Sequence, residues 1–224
     1  MSEWWTYRLT SFLLFSPQTY YRTIERYNVD IWPAQVAGTA IGVAIIGLLT
    51  VKGATRGRII AALLSGCWLW IGWSFHYQRY AQINWVAPWI GAAFALEALL
   101  LAAAGGVARS TTMFTAAGHA FRIAIALIVM IVVGYPLLAP LTGRPWTTAE
   151  VFGVAPDPTA LVTVAILALV RGRIRWLLLL IPLVWCLFSV LTLWAMRSPQ
   201  AAFVAGAALL ALAPAAMRDV RGLR

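Results

Sequence analysis

RWLLLLIPLVWCLFSVLTLWAM, residues 175–196, runs for twenty-two residues with one basic residue at its start and no acid. A helix rises about 1.5 Å per residue, so this stretch alone covers the roughly 30 Å of a bilayer's hydrocarbon core and predicts a membrane-crossing helix. Residues 32–51, 58–77, 85–107 and 119–139 pass the same test, and 200–217 falls slightly short of it. Residues 158–170 are apolar too, but thirteen residues reach only about 20 Å. Hydrophobic residues make up 62% of the 224 and charged ones 11%, too little polar surface to clothe a water-soluble globule. The expected fold is an all-α, polytopic transmembrane helix bundle of seven spans, the short one preceded by a re-entrant loop. Residues 1–31 are expected to form an interfacial amphipathic segment, 32–217 the bundle and 218–224 a basic cytoplasmic tail.

Lys and Arg are retained on the cytoplasmic side during insertion, so their distribution over alternate connections predicts orientation. Lys52, Arg56, Arg58, Arg109, Arg122, Arg171, Arg173, Arg175, Arg218, Arg221 and Arg224 fall on one side, eleven in all. Arg8, Arg22, Arg26, Arg79, Arg144 and Arg197 fall on the other, together with Glu3, Glu25, Asp30, Glu150 and Asp157. The expectation is a bacterial inner-membrane protein with its amino terminus outside and its carboxyl terminus in the cytoplasm. Its strongly basic inner face suits anionic lipid and argues against nucleic acid as a partner.

The first 31 residues do not read as a cleaved signal peptide, because Glu3 stands where a basic start belongs and no small-residue cleavage site follows a continuous apolar run. Trp4, Trp5, Leu9, Phe12 and Leu13 fall near one helical face, and Ser16-Pro17 opens a second short helix. Both are expected to lie flat on the bilayer.

Three outer connections are long, aromatic and punctuated by proline: ERYNVDIWPAQ (25–35), HYQRYAQINWVAP (76–88) and GRPWTTAEVFGVAPDPT (143–159). A ligand site is expected there, drawing on Asn28, Trp32, Gln35, Trp73, His76, Tyr77, Arg79, Asn84, Asp157 and Thr159; an aromatic belt at headgroup depth is the alternative. Asp157 reads as the N-cap of the short helix and Pro158 as its first residue, which sets that helix start below the outer surface. Irregular backbone at that depth is tolerated only inside protein or beside a cavity.

Glu97 lies near the middle of the third span, where an ionised carboxylate costs several kcal/mol in lipid, so it should face the bundle, protonated or paired. Arg122 is one partner within reach, and Cys67 and Cys186 fall at similar depth. A proton- or substrate-linked role and a structural hydrogen bond both fit Glu97. His76 and His119 sit at opposite ends of their spans and cannot share a haem or zinc. Lys52, the only lysine, sits at a helix end and cannot supply a buried Schiff base. No nucleotide loop, zinc-protease helix or Ser-His-Asp set occurs, so no catalytic residue, metal or cofactor is expected. Gly38 and Gly42 suit close packing.

YNVDIWPAQ, HYQRYAQIN with GAAFALEALL, and FGVAPDPTALVTVAIL together resemble a family of bacterial multi-spanning membrane proteins known only as a domain of unknown function. The resemblance covers most of the chain and rests on Tyr27, Asn28, Trp32, Pro33, Gln35, His76, Ile83, Asn84, Pro156, Pro158 and Thr159. The chain departs from that pattern at Asp157, where relatives carry Cys, and at Glu97, where Gln is common. It implies a membrane fold and no activity.

The leading functional expectation is a small-molecule or ion permease with an outward polar and aromatic vestibule and Glu97 at its floor. The alternative is an accessory or assembly subunit of a larger membrane complex, redox among the candidates, binding quinone, pigment or partner helices. An integral-membrane enzyme using His76 and Asn84 is the third reading and lacks a nucleophile.

Overall fold

The computed structural model describes residues 14–51, 53, 55–107 and 118–222. The stretch carrying Trp4 to Leu13 lies outside the described residues. Every regular element among those described is helical.

Helix α1 (Pro17–Asp30) starts where Ser16 Oγ accepts from the Thr19 amide at 3.1 Å and Pro17 supplies a first residue with φ already set. Its buried face is Tyr20, Ile24, Tyr27 and Asn28, the spacing of one helical stripe. Helix α2 (Ala34–Thr50) leaves it at 88°. Helix α3 (Arg56–Trp70) continues through π-helical turns over Ile71–Tyr77, and α4 (Ala87–Val107) packs antiparallel along it. That contact is close because Gly72 and Gly91 face each other and Ser65 donates to the Ala98 carbonyl at 2.7 Å. Helix α5 (His119–Val129) runs through a π turn (Met130–Gly134) and a tight turn (Tyr135–Leu137) into the short α6 (Leu138–Leu141).

Helix α7 (Pro156–Leu167) is the short apolar helix, followed by α8 (Ile174–Ala195) and α9 (Gln200–Gly222). Four helical runs are long and apolar enough to cross a membrane: Arg56–Gln82, Ala87–Gly106, His119–Leu141 and Ile174–Ala195; the bent pair α1 and α2 makes a fifth if counted as one. They present large apolar side chains outward, among them Leu99, Leu180, Val184 and Leu187, as lipid-facing helices do.

All twelve residues of α7 are buried, enclosed by α3, α5, α8 and α9. It begins at Pro156 rather than at the Asp157-Pro158 step expected from sequence, and its cap is Ala155, extended at φ −112° and ψ 144° as a residue before proline prefers. Asp157 does not cap its own helix, because its carboxylate is taken by other elements. Helix α7 ends before Arg171, and Gly172 at φ +89° turns the chain into α8. Arg56 and Arg175 cap this end of the bundle, donating to the carbonyls of Val51 and Val170.

The segment before α7 dips into the bundle. Gly153 sits at φ +85°, with Gly38 and the Cys67 sulfur against the place a β-carbon would take, and a β-carbon on Gly38 would collide with the Phe152 carbonyl. So Gly38 and Gly42 serve the approach of this irregular strand; Gly42 also packs against Val132 of α5's π turn.

Candidate ligand-binding site

Helix α1 lies across the end of the bundle where the tryptophan-rich connections meet, and it ties each of them down. Tyr21 donates to Ser198 Oγ at 2.9 Å in the α8–α9 turn. Arg79, in the α3–α4 connection, pairs with Asp30 at 2.7 Å. Asn28 Nδ2 donates to the carbonyls of Thr147 and Ala149 at 2.8 and 2.9 Å, and Tyr27 Oη donates to the Val154 carbonyl at 2.8 Å, both in the dipping segment.

A cavity of about 580 Å³ opens between the α1–α2 bend and this segment. Trp32 and Trp146, 68% and 61% exposed, stand at it with Val29, Pro136 and Val151, and its polar lining includes Asn28, Gln35, Thr39 and Thr147. The two amides are oriented by their donors. Asn28 spends both N–H bonds on carbonyls, and Gln35 Nε2 donates to the Asn28 carbonyl at 2.6 Å. Flipping either would set oxygen against oxygen, so Asn28 Oδ1 and Gln35 Oε1 are left as acceptors, and neither has a donor. A buried acceptor without a donor costs about 1–3 kcal/mol, and both oxygens are shielded from the cavity, so the surface it presents is mostly apolar.

Ala149 and Val151 line the cavity, whereas Glu150 between them turns to the opposite side, as alternation along extended backbone requires. Glu150 is buried and bonded by Gln200. Burial and the nearby Asp157 carboxyl push it above the usual carboxylate range, against weaker opposition from Arg144 and Gln200. Asp157, 1% exposed, collects three donors: Trp185 Nε1 at 2.9 Å, Ser189 Oγ at 2.6 Å and Tyr135 Oη at 3.2 Å. Thr159 Oγ1 accepts from the Gly153 amide and donates to the Ala155 carbonyl, fixing the dip.

The other expected site residues do not converge on the cavity. His76 is fully buried among Phe75, Tyr80, Phe94 and Trp185, with neither ring nitrogen bonded, while Trp73 and Tyr77 stack on each other on the exposed side. The group expected around His76 is therefore split by the π-helical stretch, in which neighbours in sequence face different ways. Arg79 ties to Asp30, and Asn84 Oδ1 accepts from the Val86 amide where α4 begins. Glu97 is fully buried, and both carboxyl oxygens lack a hydrogen bond. No ion pair links it to Arg122 among the described residues. By the Ser65–Ala98 register, Cys67 is level with Glu97, but its sulfur abuts Gly153.

Residues 17–222 match the model of DUF6064, described as a family of unknown function. The chain belongs to that family. No curated protein and no solved structure matches it. Family membership extends over every helix described, so the α1 strap and the dipping segment both lie within the family's shared length.

Sequence reasoning missed Trp146, Pro136 and Val151 as pocket walls, and Tyr135, Trp185 and Ser189 as partners of Asp157. A signal for the last was present: Ser189 and Thr192 are the two hydroxyl residues in the apolar 175–196 stretch, and such residues often serve a buried polar group.

Proposed function

We propose that this protein is a small-molecule permease, and that the cavity between Trp32, Trp146, Asn28 and Gln35 is where solute is recognised. The observation that carries the proposal is the dipping segment: residues 149 and 151 line an open cavity, and six residues later the same strand delivers Asp157 into the bundle interior. Irregular backbone joined to a short buried helix is the arrangement from which membrane transporters build sites that rearrange. The vestibule is off the bundle axis, because α7 fills the axis, and Glu97, buried within α4, does not line it.

Counting α2, α7 with its dip, and α9 as crossings alongside the four long runs gives seven. The excess of basic residues at the opposite end supports an amino terminus outside and a carboxyl terminus in the cytoplasm of a bacterial inner membrane. The solute class is an apolar small molecule carrying hydroxyl or amine donors: the cavity offers indole faces, and a side-chain shift on binding would bring the unmet Asn28 and Gln35 oxygens to the solute.

Reconstituted vesicles test this with matched pairs of aromatic solutes that differ by a hydroxyl group. Faster protein-dependent uptake of the hydroxylated member, lowered at least five-fold by Trp146→Ala or Gln35→Met in folded protein, supports the reading. Uptake equal to protein-free vesicles for every solute, with pocket variants binding them as wild type does, defeats it.

A second reading has its own observation. A wholly apolar groove of about 350 Å³ runs between α4 and α8 past Ile90, Phe94, Val184 and Phe188 to Trp185, the indole that bonds Asp157. An apolar helix of a partner, or an isoprenoid tail, suits it, as expected of a subunit in a larger membrane complex. A partner that stays bound through purification in mild detergent and is released by Val184→Trp favours this reading over transport.

A further inference from the structure

Towards the amino end of α1 from the Trp32–Trp146 cavity lies a second cleft, of about 310 Å³, between α1 and residues 79–83. Arg22 and Arg26, one helical turn apart on α1, line it together with Arg79. Among the described residues neither Arg22 nor Arg26 has a carboxylate within ion-pair distance, and Arg79 is paired with Asp30. The other acid of α1, Glu25, has its Oε1 taken by the Thr147 hydroxyl, on the dipping-segment side of the helix. Three guanidinium groups less the Asp30 carboxylate leave two uncompensated positive charges facing one cleft. The hydroxyls beside them are spent, because Thr23 Oγ1 donates to the Thr19 carbonyl and Thr19 shares a bond with Ser16, so the guanidinium groups are the charged donors left for a guest, beside the neutral amides of Gln18 and Gln82.

We infer that this cleft is an anion site for a phosphate group, held by Arg22, Arg26 and Arg79. Planar guanidinium forks match the oxygens of phosphate in pairs; the doubled charge matches a phosphate monoester, and a diester, with a single charge, is held by the same forks through its two unesterified oxygens. The cleft sits at the end of the bundle where Trp73, Tyr77, Trp85 and Trp89 are exposed, the aromatic girdle that marks headgroup depth. Two sources share the chemistry: the headgroup of a phospholipid, and a soluble phosphate or phosphate ester. The site is separate from the solute cavity and does not depend on the permease reading.

The test uses the full chain in a phosphate-free maltoside detergent, titrated with three probes: inorganic phosphate, dihexanoyl phosphatidylglycerol and dihexanoylglycerol, which lacks phosphate. Binding is followed by native mass spectrometry and thermal shift for wild type, for Arg22→Gln/Arg26→Gln and for Arg22→Lys/Arg26→Lys. The expected result is that phosphatidylglycerol binds wild type at least ten-fold more tightly than the Gln pair, with the Lys pair between them and dihexanoylglycerol indifferent to all three. Parallel loss of inorganic phosphate binding assigns the site to soluble phosphates as well, and its failure to bind wild type at all assigns it to lipid. Phosphatidylglycerol binding that is the same in wild type and a Gln pair of unchanged melting temperature overturns the inference. So does dihexanoylglycerol binding that falls along with it.

Discussion

Of the three carboxylic acids buried among the described residues, two are treated in opposite ways. Asp157, at the start of α7, receives an indole N–H, a serine hydroxyl and a tyrosine hydroxyl from two other parts of the chain, while Glu97, within α4, receives none. A carboxylate that organises three donors belongs to the scaffold, and its loss strands all of them. A carboxyl with no partner gives the fold nothing, so its cost must be borne for another reason, as polar groups at functional positions are. The comparison divides the polar interior into a set that holds the dip in place and a carboxyl that no hydrogen bond holds.

Asp157→Leu tests the first half and should have the largest effect. It strands Trp185, Ser189 and Tyr135, each at about 1–3 kcal/mol, for a combined loss of at least about 3 kcal/mol in detergent unfolding. Glu97→Leu in the same assay should be neutral or stabilising, since a buried acid with no partner is replaced by an apolar group of similar size. A loss from Glu97→Leu equal to that from Asp157→Leu would show that Glu97 has a structural partner after all, and the contrast would disappear.

Gly38→Val comes next. Its β-carbon collides with the Phe152 carbonyl, so the dipping strand must retreat, and overpacking of this kind costs about 1–3 kcal/mol. The same change at Gly47, where nothing lies near the new atoms, should leave the melting temperature within the range of a conservative surface substitution. Equal effects at the two positions would mean that the strand does not lie against α2.

The helices were legible from sequence because lipid imposes a length and an apolarity that show in the residues themselves; 174–195 matches the 175–196 stretch almost residue for residue. The shortness of 158–170 also foretold a segment that enters the bundle. What stayed hidden was direction. Nothing in HYQRYAQIN tells that His76 turns inward onto Phe94 while Tyr77 turns out, because π-helical turns change the angle between neighbours and carry no sequence mark. Nor does PDP reveal that Asp157 serves α8 rather than its own helix, since the three donors lie 22 to 32 residues away. The cavity depended on α1 folding across the bundle at 88°, an angle that local propensity does not encode.

The smallest predicted effect concerns Glu150, which stands between the two extremes: bonded by Gln200 yet with Oε2 unmet. Its titration is raised in the fold by burial first and by Asp157 second, with Arg144 and Gln200 opposing. A carboxyl whose folded pKa lies above its unfolded value contributes most at low pH, where both states hold the proton. That contribution is lost as pH rises through the ordinary carboxylate range and on towards the folded value, because the unfolded chain releases its proton first. Wild type should therefore lose stability relative to Glu150→Gln as pH climbs from acid to neutral, by a degree or two of melting temperature, and the variant's profile should be flatter. A wild type that instead gains on the variant over that range would mean that Arg144 swings across to pair with an ionised Glu150, which would place Glu150 with Asp157 as a satisfied acid and leave Glu97 as the one unbonded acid among the three buried in the described residues.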